Sequence, residues 1–248
     1  MADYNTYRTT QSVGARQAVV DEGLRAYMNK VYGLMAVGMG VTAVAAYGVS
    51  TAAVDASGQV TQLGYAIYAS PLKWVIMFAP LLMVFAFGAA LNRLSTQAAT
   101  IMFYAFAALM GLSISSIFLV YTDMSIVQTF VVTAIAFAGL SLWGYTTKKN
   151  LSGWGTFLIM GVICLLVASI VNIFLQSSAM QFAISVLGVL IFAGLTAYDT
   201  QRIKNTYLEL AGSDRDFIGK TAIMGALSLY LNFLNLFMFL LQFMGNRE

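Results

Sequence analysis

The chain has 248 residues, of which 60% are hydrophobic and 9% charged, with a formal net charge of +3 and a mean hydropathy of +0.79. A soluble domain could not bury so much apolar surface, so the composition predicts a membrane protein. Histidine is absent, which excludes HExxH zinc chemistry, histidine triads and histidine pH switches, and the small basic excess is better explained by membrane topology than by nucleic acid.

A helix crossing the hydrocarbon needs about 20 apolar residues and tolerates few charges, so the gaps between charges count the spans. Residues 1–30 are polar, without the apolar stretch of a cleaved signal peptide, and are expected to form a cytoplasmic N-terminal segment. Charge-free stretches follow at 31–54, 74–92, 94–122, 124–147, 150–198 and 221–246. The fifth is 49 residues long, too long for one span, and breaks at the polar "QSSAMQ" of Gln176 to Gln181. The expectation is an all-α membrane protein with a single transmembrane domain, 31–246, of seven helices near 31–50, 73–92, 98–121, 125–145, 154–175, 180–200 and 221–244.

Along these spans, Gly33, Gly38, Gly40 and Gly48 favour close helix approach in the first, and Pro80 predicts a kink in the second. The single Cys164 can form no intrachain disulfide and reads as packing. The connection 51–71 carries "DASGQ" as a turn, and "AGSDRD" interrupts the polar connection 203–220. Eleven Lys and Arg residues fall on one side of the bundle, among them Arg8, Arg16, Arg93, Lys148, Lys149, Arg202 and Arg215, against Lys73 and Arg247 on the other. Basic residues favour the cytoplasm, so the N-terminus is expected there and the C-terminus outside.

In the seventh helix, Thr221, Gly225, Ser228, Asn232, Asn235 and Gln242 recur at steps of three and four, with Phe239 filling the one gap. Lipid cannot hydrogen-bond an amide, so this polar face must meet other helices or water, whereas the Leu, Phe and Met residues between can face lipid. The helix is therefore expected to be central, and Asn232 and Asn235 either join helices or line a pathway. Asp199, near the cytoplasmic end of the sixth helix, is the one acid inside or at the edge of a helix core. An ionisable group at that depth must snorkel or pair. Arg93, ending the second helix at similar depth, could bridge to it and form a latch that protonation opens. Arg202, three residues along from Asp199, competes for the same carboxylate, and Arg93 also fits a plain topological anchor.

The stretches "GLTAYDTQRIKN" (Gly194 to Asn205), "ALSLYLNFLNLF" (Ala226 to Phe237), "LMGLSISSIFLVY" (Leu109 to Tyr121) and "IVNIF" (Ile170 to Phe174) occur in this order-specific set from the first helix to the C-terminus. On them the chain resembles the Bax inhibitor-1, or transmembrane Bax-inhibitor-motif, family, its bacterial branch in particular. The resemblance implies a seventh helix surrounded by the other six, a location in the bacterial inner membrane, and a pH-sensitive calcium leak with Ca²⁺ as the weakly bound permeant ion. It also marks Tyr198, Gln201 and Arg202 as parts of the sixth-helix motif, and matches Asp199 and Arg93 to residues of the latch and pH sensor. In similar bacterial members the sixth-helix Asp shares a proton with a second Asp in a "YLDF" stretch. Here that stretch is "YLNF", with Asn232 in the acid's place. Asn232 can donate a hydrogen bond to Asp199 but cannot share a titratable proton, so the resemblance implies a weakened or acid-shifted response. No metal site and no cofactor are expected.

Two further function classes bear on the same residues. One relative is linked to a membrane-anchored ATP-dependent protease, so a non-conducting regulator using the N-terminal segment as a handle is the alternative. Tyr198 and Asp199 match the "YD" half of intramembrane aspartyl proteases, but such chemistry needs two acids, and no GxGD partner exists. The chain is therefore not expected to be an enzyme.

Overall fold

The computed structural model describes residues 3–55, 57–91, 93–210 and 214–246, without the side chains of 3–17 and 215. The helices are α1 (Asp3–Ala53), α2 (Gln62–Tyr68), α3 (Leu72–Ala90), α4 (Thr96–Ile114), α5 (Asp123–Thr146), α6 (Trp154–Leu175), α7 (Ser178–Leu210) and α8 (Arg215–Met244), and a 3-10 turn, Ser115–Leu119, extends α4. Among the described residues seven helices are long and apolar enough to span, all but the short α2. The second, sixth and seventh spans expected from the sequence are thus α3, α7 and α8.

Local chemistry sets the boundaries. Thr61, Ser95 and Thr122 each accept a hydrogen bond from a first-turn amide, of Gly64, Ala98 and Ser125, and so start α2, α4 and α5. The long apolar stretch breaks where expected: Gln176 adopts a left-handed conformation, φ 49°, and its amide closes α6 on the Asn172 carbonyl. In the 54–60 turn, Asp55 accepts from the Ser57 hydroxyl and from the Ser57 and Gln59 amides, beneath a single Val54–Val60 bridge.

Hydrogen bonds set the two sides of the bundle. Tyr27 of α1 donates to Thr221 of α8 at 3.5 Å, and Thr96 of α4 bonds the Asp216 carboxylate. At the opposite side the Asn246 amide donates to Ser125, and Tyr68 bonds Ser115. The first side, which holds the α3–α4, α5–α6 and α7–α8 connections, is the one nearer Asp199.

The α8 helix is the axis of the bundle, 61% of its most apolar window being buried against 33% or less for the other spans. It packs against α1, α4, α5 and α7, while α3 lies on α4 and α6 on α7. Most of its Leu and Phe residues do not face lipid as expected: Leu229, Phe233, Leu236, Phe237 and Leu241 are buried, whereas Phe217, Phe243 and Met244 near its ends are exposed. Four helices pack around it, and Tyr230 meets Phe103 and Phe106 edge-on while Phe233 meets Phe137 likewise. Lipid contact is greatest on α3 and α6, the least buried of the spans, whose Trp74, Phe78, Leu82, Phe157, Leu166 and Phe174 are exposed. Cys164 is exposed on that outer surface of α6, which corrects its reading as a packing residue.

Because lipid is as apolar as leucine, burial alone does not hold such a bundle together, and close contact must. A Cβ at Gly144 of α5 would sit 2.3 Å from the Ala197 carbonyl oxygen of α7, so glycine brings these two backbones together. The first helix is continuous through residue 31, and its buried stripe already begins at Leu24, Tyr27 and Met28. Charged Arg25 and Lys30 interrupt the composition there but point outward, which is why charge spacing alone started the span later. The first two residues of the expected handle, and its side chains through 17, lie outside the described residues, as do 211–213 of "AGSDRD".

Candidate functional site

Of the expected site residues, the structure brings four together: Asp199 and Arg202 on α7, Ser228 and Asn232 on α8. Asp199 is 6% exposed and is the one charged residue in the buried core among the described residues. Its Oδ1 takes an ion pair from Arg202 at 2.8 Å, and its Oδ2 accepts from Asn232 Nδ2 at 2.7 Å. Arg202 also donates to the Ser228 hydroxyl at 3.3 Å and lies 5.7 Å from the Tyr198 ring centre. The side chain of Arg202 is 48% exposed, so the carboxylate is reached from the solvent-facing end of α7 through its partner cation.

Helical spacing explains the arrangement. Asp199 and Arg202 are three apart and share one face of α7, whereas Ser228 and Asn232 are four apart on the facing side of α8. The expected Arg93–Asp199 bridge does not form: among the described residues, Arg93 is exposed and makes no salt bridge. It lies just past the end of α3, which packs on α2 and α4, so similar depth along the membrane normal did not bring it to α7. Asn235, also expected in the pathway, turns its amide back to the Leu231 carbonyl at 2.8 Å.

Gln201 holds the α5–α6 connection on α7. Its Nε2 donates to the Lys149 carbonyl at 2.8 Å while its Oε1 accepts from the Leu151 amide at 2.8 Å. Lys204 donates to the Tyr145 carbonyl at 2.8 Å, at the C-terminal end of α5 where a cation is favoured.

Sequence reasoning did not find a second polar layer at the far end of the same interface. Asn172 donates to Gln181 at 3.1 Å, Gln181 donates to Gln242 at 2.8 Å, and Ser185 donates to the same Gln242 oxygen at 3.4 Å. The three amides come from α6, α7 and α8: Gln181 was read as part of the break, Gln242 as part of the stripe, and Asn172 only within the motif "IVNIF". Between the layers Phe239 stacks on Phe192 at 5.8 Å, directly over Gly188, where a Cβ would come within 2.6 Å of the ring. The gap at position 239 in the polar stripe was the one signal of this apolar barrier.

The donor chemistry is that of a charge-neutral, hydrogen-bonded centre. Ca²⁺ takes six to eight oxygen ligands. Here one carboxylate has both oxygens engaged and a guanidinium beside it, so a cation can be held only weakly and only by displacing Arg202.

Comparison with known proteins fits this fold. The profile described as "Inhibitor of apoptosis-promoting Bax1" matches residues 24–248. The chain is 49% identical to a protein of Caulobacter vibrioides, over the whole of both chains. It is 44% identical over 230 residues to the inner membrane protein YbhL of Escherichia coli, covering 91% of this chain and 94% of that one. To a membrane protein of Streptococcus pyogenes it is 34% identical over 234 residues, covering 92% and 96%. The shared profile, the relatives and the seven spans together make the chain a member of the Bax inhibitor-1 family, a multi-pass protein of the bacterial inner membrane.

Proposed function

We propose that the protein is a pH-modulated cation leak, with calcium as the permeant ion, whose proton response is weakened because Asn232 stands where a second acid would be. The supporting observation is Asp199 itself, a buried carboxylate on the central helix interface, tied to Arg202 and Asn232. Protonation would remove the charge that Arg202 pairs with, freeing α7 to shift against α8. The path runs along the α7–α8 interface from this centre, past the Phe239 and Phe192 barrier, to the amides of Gln181 and Gln242. With 11 basic residues on the Asp199 side against two on the other, that side is cytoplasmic in this reading. Calcium flux into dye-loaded proteoliposomes tests it: flux unchanged by Asp199→Asn across pH 5–8 removes Asp199 from the mechanism.

A second reading is favoured by α1. At 51 residues it is about 76 Å long, against a hydrocarbon core of about 30 Å, so its N-terminal part reaches well beyond the membrane. In this reading the extension binds a membrane-anchored ATP-dependent protease, and the protein regulates it without conducting or catalysing. Unaltered protease association after deletion of residues 2–20 would end that idea.

A further inference from the structure

Helices α1 and α5 both pack on α8, yet they leave between them a cavity of about 660 Å³ with Phe233 of α8 at its floor. Its walls are apolar, formed by Met28, Met35, Ala134, Phe137, Ala138 and Leu142. The lining runs from Arg25 to Ala36 on α1 and from Ala134 to Tyr145 on the antiparallel α5, which is about 16 Å along each helix. That is about half of a 30 Å hydrocarbon core, the depth of one leaflet. Ala134 and Ala36 mark the deep end. Arg25, Asn29 and Tyr145 mark the end at the membrane surface, where Lys204 also reaches the Tyr145 carbonyl at 2.8 Å.

Lipid chains surround the bundle, and an apolar groove gains little by exchanging one for another. Selection must come from the polar end, where no acid lines the cavity. Among the described residues no carboxylate is within salt-bridge distance of Arg25, including Asp21 and Glu22 one turn earlier. An exposed guanidinium at headgroup level matches a phosphate oxygen pair, and Tyr145 suits the interface.

We infer that the α1–α5 groove is a binding site for one anionic phospholipid, an acyl chain lying between the helices and the phosphate resting on Arg25. The site is independent of ion conduction, and its readout needs none. The full chain is reconstituted in nanodiscs of equimolar phosphatidylglycerol and phosphatidylcholine with matched acyl chains, transferred to mild detergent, and the retained lipid is counted by native mass spectrometry. The expected result is retention of phosphatidylglycerol several-fold over phosphatidylcholine. Arg25→Gln should abolish that preference, while Lys148→Gln, a basic loop residue outside the groove, should keep it. Ala138→Trp, which fills the groove from an exposed position, should lose the retained lipid, with Ala138→Leu as the smaller substitute should the first fail to fold. Equal retention of the two lipids by the natural chain would overturn the inference. So would unchanged retention in the filled variant.

Discussion

Asn232 donates its amide to Asp199 at 2.7 Å across the α7–α8 interface, and the two residues are 5% and 6% exposed. The amide satisfies one carboxylate oxygen. Asn232→Leu keeps the volume and removes the donor, leaving Asp199 Oδ2 without that partner. A buried polar group so orphaned costs about 1–3 kcal/mol, more where it is charged. Thermal unfolding in detergent should show a clear loss of stability, and Asn235→Leu, whose amide bonds only its own helix, should lose less.

Arg202, and not Arg93, is the cation that Asp199 holds. Arg202→Gln should therefore change the pH response of calcium flux in proteoliposomes, while Arg93→Gln leaves it as in the natural chain. A response altered by Arg93→Gln alone would restore the bridge that the geometry removes.

The Phe239 barrier rests on Gly188, where any side chain meets the ring. Gly188→Ala must displace Phe239 or separate α7 from α8, and overpacking of this kind costs about 1–3 kcal/mol. Calorimetry in detergent should show the loss of stability. Phe239→Ala removes the ring that separates the two polar layers, and a higher basal flux is the expected outcome.

In the 54–60 turn, the Ser57 hydroxyl and then the Gln59 amide hold the Asp55 carboxyl below its ordinary value of 3.8. A carboxylate depressed by folding adds stability above its unfolded pKa and loses it as the pH falls through the folded one. Hydrogen exchange at Ser57 and Gln59, corrected for intrinsic rate, should be slower in the natural chain than in Asp55→Ala at pH 7. The difference should shrink as the pH falls through the depressed folded pKa.

Much of the fold was legible because charge, spacing and breaks are one-dimensional signals. Seven spans, the Gln176 break and the central position of the last helix all follow from the order of residues along the chain. Rotation and neighbour choice are not so recorded. Depth placed Arg93 level with Asp199, but only packing shows that α3 lies against α4. The Leu and Phe residues of α8 read as lipid-facing because leucine carries the same signal in lipid as in a protein interior. Gln201 illustrates the same limit: its motif was visible, while its hold on Lys149 and Leu151 needed the α5–α6 connection in place.

Calcium flux into dye-loaded proteoliposomes from pH 5 to 8, comparing the natural chain with Asn232→Asp, tests the central claim most directly. The account predicts a small, weakly pH-dependent leak in the natural chain and a stronger, pH-dependent flux once two carboxylates share the site. No conduction by either form, at equal and verified insertion, would contradict it and leave Asp199 as a structural tie between α7 and α8.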